Sequence, residues 1–88
     1  MKKVWIITRK HSWSENRETL AVVTGKKIAV RAVQRFSERD STGDEWKQLL
    51  DDETRFVIEC SDEHTTVELR AEQHDVATNA TELKRILR

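Results

Sequence analysis

Residues 55–71, RFVIECSDEHTTVELRA, decide how this 88-residue chain folds. Phe56, Ile58 and Cys60 alternate with polar or outward positions, and Val67, Leu69 and Ala71 do the same after the polar turn Ser61 to His64. Apolar residues at every second position place one row of side chains on one face of a strand. Two such runs joined by a short polar turn predict an antiparallel hairpin over Arg55–Cys60 and Thr65–Ala71, whose six apolar side chains share a core. Cys60 then reads as a small buried hydrophobe.

Upstream, Lys3 to Arg9 reads as a first strand, because Val, Trp and Ile suit a pleated surface. Val4, Ile6 and Thr8 fall on one face and Trp5 and Ile7 on the other, which predicts a central strand or one covered by a helix. The polar stretch Lys10 to Glu18 reads as a loop around Trp13, and Thr19 to Thr24 as an antiparallel second strand.

Residues 26–39 admit two readings. Ile28, Val30 and Ala32 alternate as a strand would after a turn at Thr24 to Lys27. Ile28, Ala29, Ala32, Val33 and Phe36 also share one arc of a helical wheel, with Lys27, Arg31, Gln34, Arg35 and Glu38 opposite. The helix is adopted, with Val30 out of place in it. Asp40 to Gly43 breaks the chain, and Thr42 with Glu45 forms a capping box for a short helical turn carrying Trp46, Leu49 and Leu50. A last helix follows, capped by Asp75 or Asn79, with Ala80, Leu83 and Leu87 on one stripe. The expected fold is one α+β domain over residues 1–88, a small antiparallel sheet of about four strands in ββαββα order, with one or two helices on one face.

Twenty-one of the 88 residues are Leu, Ile, Val or Phe and the net charge is zero, so the chain has the apolar content to fold. A chain of this length buries roughly 60–68% of its unfolded surface, enough for one modest core. The apolar run Val4 to Ile7 is too short for a membrane span or a signal-peptide core, and a single cysteine suits a reducing compartment. The expectation is a cytoplasmic protein with no membrane partner, a monomer or weak homodimer.

No residues are picked out as catalytic. Cys60, His64 and His74 lack the paired spacing of zinc ligands, and Gly25, Lys26 and Lys27 lack the first glycine and the Ser or Thr of a phosphate-binding loop. The expectation is therefore a non-enzyme with no metal or cofactor. Charge is the informative feature. Residues 1–39 hold ten Lys or Arg against three Asp or Glu, a balance of +7, and residues 40–88 hold six against thirteen, a balance of −7. On a helix, Lys27, Arg31 and Arg35 form one ridge able to pair with phosphates or carboxylates. Arg9, Lys10, Trp13 and Arg17 add a basic loop with an indole, and Trp and Arg are the types that most often anchor interfaces. Trp13 folded back over the strands is the other reading of that residue.

The opening VWIITRKHSWSENRETLAVVTGKKIAVRAVQRF, residues 4–36, resembles small phage-encoded accessory proteins, some anti-CRISPR inhibitors among them, in size and element order. That resemblance implies a protein that docks on and inhibits a host protein or nucleoprotein complex. Neutral net charge sets the chain apart from acidic mimics of DNA, so a block of one protein surface is expected. Direct nucleic-acid binding through the same helix face is the alternative.

Overall fold

In the computed structural model, which describes residues 2–39 and 45–87, the 55–71 hairpin lies inside a sheet. Its strands are β4 (Arg55–Ser61) and β5 (Thr66–Val76), paired antiparallel with Phe56 opposite Ala71, Ile58 opposite Leu69 and Cys60 opposite Val67. These six side chains are buried on one face, as their alternation requires. Strand β1 (Lys2–His11) pairs with β5 over its whole length, and β2 (Glu18–Val23) covers the other edge of β1. Helix α1 (Lys26–Arg39) follows β2, then β3 (Lys47–Asp51) pairs with β4, and α2 (Ala80–Ile86) closes the described chain. The sheet runs β2-β1-β5-β4-β3.

The sheet thus has five strands, one more than expected, and the order is ββαβββα. The extra strand is β3, where a short helical turn was read from Trp46, Leu49 and Leu50. Their spacing looks helical because a bulge between Gln48 and Leu50 breaks the alternation of the strand. The missing cue is non-local. Phe56, Val57 and Ile58 of β4 are buried in succession, and buried backbone polar groups require partners, which β3 supplies. The capping box read at Thr42 lies outside the described residues.

One face of the sheet carries α1. Trp5 and Ile7 of β1, Ala29 and Val33 of α1, Phe56 and Ile58 of β4, and Leu69 and Ala71 of β5 make the core. The buried stripe of α1 differs from the one expected. Ile28 is 55% exposed, whereas Val30, assigned to the wrong side, is half-buried against the core. The true stripe is Ala29, Ala32, Val33 and Phe36, the i, i+3, i+4, i+7 set, with Val30 beside it. Gly25 opens the helix at φ 103°, a left-handed conformation that side chains disfavour, and its carbonyl accepts the first helical bond from the Ala29 N–H at 3.1 Å.

Helix α2 is shorter than its stripe suggested, and none of its residues is buried; Leu83 and Leu87 are exposed. Asn79 is its cap, accepting from the Glu82 N–H at 2.9 Å.

Both hairpin turns on the acidic side share one device. Asp52 Oδ1 accepts from the N–H groups of Thr54 at 2.9 Å and Arg55 at 2.8 Å. Asp62 Oδ1 accepts from those of His64 at 2.7 Å and Thr65 at 2.8 Å. The donated N–H of Thr54 lowers the Asp52 pKa below its ordinary value, and that of His64 does the same for Asp62. Asp52 is therefore the anchor of the β3–β4 turn.

Truncating fully buried Leu69 to Ala should cost about 2–5 kcal/mol, the range for a large-to-small change in a packed core. Ile28→Ala should cost less than about 1 kcal/mol, because its side chain keeps much of its exposure in the fold. Urea unfolding of the two variants checks this, and equal losses would place Ile28 in the core after all.

Candidate nucleic-acid or protein interface

Sheet order puts the strands of the basic half and those of the acidic half on different sides, while α1 packs across the sheet face. Residues 2–39 form β2, β1 and α1, while β4 and β3 come from the acidic half, and β5 is the seam between them. Among the described residues, the ion pairs Lys26 to Asp51 at 2.7 Å and Arg17 to Glu68 at 3.0 Å bridge the halves. The first ties the start of α1 to β3.

The residues read as a basic loop do not form one patch. Arg9 stands opposite Glu18 and binds its carboxylate at 2.6 Å. Its place in the alternation is that of Trp5 and Ile7, on the helix side of the sheet. Arg17 bonds to Thr8 Oγ1 at 3.1 Å and to Glu68, on the other side. Glu68 also accepts from Arg70 at 3.0 Å. Both guanidinium groups are thus neutralised by carboxylates of the chain itself. Lys10 is half-buried beside an open cavity of about 160 Å³ that Glu59 and Glu68 also line. Trp13 is 74% exposed and stacks on His11, ring centroids 4.9 Å apart, so it points out of the arm formed by the end of β1, the start of β2 and the loop 12–17 between them, and is not folded over the strands.

The helix is different. Lys27, Arg31 and Arg35 are exposed, and Arg39 extends their four-residue spacing by one more step. No ion pair engages any of the four among the described residues. Sequence reasoning missed Arg39, although the same i, i+4 count would have reached it. Four residues turn a helix about 40° past a full circle, so the ridge winds about 120° across the back of α1. Its first half, Lys27 and Arg31, borders an open cavity of about 480 Å³ with Lys26, Val30 and Gln34. Its second half, Arg35 and Arg39, borders another of about 400 Å³ whose apolar floor is Ala32 and Phe36 of α1 with Ala21 of β2.

This ridge is unfavourable for the helix that carries it. Like charges at i, i+4 repel by about 0.2–0.5 kcal/mol per pair. The first turn holds Lys26 and Lys27 and no acid, against the helix dipole. A row of cations without ion pairs among the described residues, next to apolar hollows, is chemically suited to carboxylates of a protein or to phosphates. No three His, Cys, Asp or Glu side chains come together to hold a metal ion among the described residues. No helix among them is long and apolar enough to cross a membrane.

No family model, curated protein or solved structure matches this chain. The functional reading therefore stands on the geometry alone.

Lys27→Glu should raise the stability of the free protein by about 0.5–1 kcal/mol, because an acid in the first turn suits the dipole and attracts Arg31 four residues on. The urea midpoint reads this directly. A lower midpoint would mean that Lys27 has a stabilising partner and is not a free surface cation.

Proposed function

We propose that this chain is a non-enzymatic binding protein that docks on a host protein or nucleoprotein complex, as phage-encoded anti-CRISPR inhibitors do. The docking surface is the outer face of α1, with Lys27, Arg31 and Arg35, and the arm that presents Trp13. Lys10 flanks that arm, and Arg9 and Arg17 serve it by holding its strands through their ion pairs. One observation carries the reading: among the described residues a row of cations stays without ion pairs on a helix that its repulsion weakens, while the arginines of the sheet and its loops, Arg9, Arg17, Arg55 and Arg70, are all ion-paired, as is Lys26. An exposed indole and an apolar hollow beside the ridge favour a protein surface, since aromatic and Arg anchors in pockets dominate such contacts.

Direct binding of nucleic acid is the second reading, and the unbroken spacing of the cations along about 18 Å of helix favours it. The two readings separate by salt and by nuclease. Each neutralised phosphate of duplex DNA contributes about −0.9 to the slope of log affinity against log salt, and a protein contact is less steep.

Replacing Lys27, Arg31 and Arg35 together by Glu should leave the circular-dichroism spectrum unchanged and alter stability by less than about 1 kcal/mol. Capture of a partner from bacterial lysate should be lost, and capture by the wild type should survive nuclease. Trp13→Ala should weaken it as well. A triple variant that captures the same partner at wild-type affinity removes the ridge from the account, and capture abolished by nuclease supports the second reading.

A further inference from the structure

The two open edges of the sheet, β2 and β3, differ in charge and in shape. Beside β2 lies the hollow of about 400 Å³ with its apolar floor of Ala21, Ala32 and Phe36. Arg35 and Arg39 stand on its rim without ion pairs among the described residues; Glu38 is the one acid there. At the β3 edge, Leu49 is 53% exposed where the bulge interrupts the pairing with β4. Glu45 and Glu53, both exposed, flank it four residues away on either side, with Lys47 the one exposed cation of the strand between them. One edge offers an apolar socket with a cationic rim, and the other an apolar plug between carboxylates.

We infer that the chain associates with itself head to tail, Leu49 of one copy entering the hollow beside β2 of the next, with Glu45 and Glu53 meeting Arg35 and Arg39. A second copy is the occupant because the molecule carries its own complement. Its net charge is zero, a condition that promotes association, and the two patches, one cationic beside β2 and one anionic at β3, lie at opposite edges of the sheet. Pairing β2 with β2 would set Arg35 and Arg39 of both copies against one another, and β3 with β3 about Leu49 would set Glu45 against Glu53, with Lys47 near Asp51, and give Leu49 no hollow to enter. The unlike edges match in both charge and shape. Such a contact uses different surfaces on the two copies, so it does not close at a dimer. This contact shares Arg35 and its hollow with the docking face proposed above, whereas Lys27 and Arg31 border the other hollow and stay outside it, so self-association and docking are read by separate measurements.

Sedimentation equilibrium of the full chain tests it. At about 20 mM salt, where the Debye length is about 20 Å, the mean mass should rise with concentration past twice the monomer without a plateau; at about 500 mM it should fall to the monomer. The socket variant Arg35→Glu with Arg39→Glu, and the plug variant Leu49→Arg, should each weaken association by at least about tenfold. Mixed in equal amounts, they should form a pair of twice the monomer mass and nothing larger, because only one plug and one socket survive. A wild-type protein that stays monomeric at low salt overturns the inference without any variant. So does a plateau at the dimer, and so does a mixture that stays monomeric while the wild type assembles.

Discussion

The pairing of β1 with β5 is the constraint on which the rest of this structure depends. Ten residues of β1, Lys2 to His11, run opposite Val76 to Val67, joining the beginning of the chain to its end. The seam places Trp5 and Ile7 beside Leu69 and Ala71, and α1 packs over this row through Ala29 and Val33. It also sets the strands of the two halves side by side as blocks, with α1 laid over them. Had β5 paired at an outer edge, basic and acidic strands could have interleaved and cancelled locally.

The consequence is a molecule neutral in sum and polar in arrangement. The arginines of the sheet and its loops meet carboxylates: Arg9 with Glu18, Arg17 and Arg70 with Glu68, Arg55 with Asp52. Among the described residues the arginines of α1 do not, and of its lysines Lys26 alone does, tethering the helix to Asp51. Surface ion pairs are individually weak, so this contrast matters less for stability than for what the molecule can attract. A helix held down by its apolar stripe can tolerate the repulsion among Lys27, Arg31, Arg35 and Arg39 because tertiary packing, more than propensity, maintains helices in folded domains.

Most of the framework was legible in local patterns. Alternation in Arg55–Ala71 announced the hairpin and the inward side of Cys60, and the two faces of β1 followed from parity alone. The 26–39 helix was legible from its wheel, but Ile28 and Val30 sit at opposite margins of the apolar arc, and only the angle at which α1 meets the sheet decides between them. The strand β3 was hidden because its bulge mimics a helical spacing and because its partner, β4, lies across a turn anchored by Asp52. That anchor was readable, since an Asp that accepts from the N–H groups two and three residues on is a local device. The fate of the candidate site divides in the same way. Lys27, Arg31 and Arg35 lie where helical spacing put them, whereas the engagement of Arg17 by Glu68, 51 residues away, leaves no local mark.

The segregation of charge can be measured residue by residue. Cationic and anionic paramagnetic probes of equal size, added to isotope-labelled protein, report the local potential through their unequal enhancement of proton relaxation. The anionic probe should dominate along the outer face of α1 from Lys27 to Arg39, and the cationic probe around the β3–β4 turn and at Glu59 and Glu63. Equal enhancement by both probes at α1 and at the β3–β4 turn would contradict the account, because the charges would then be compensated in space and no basic face would exist.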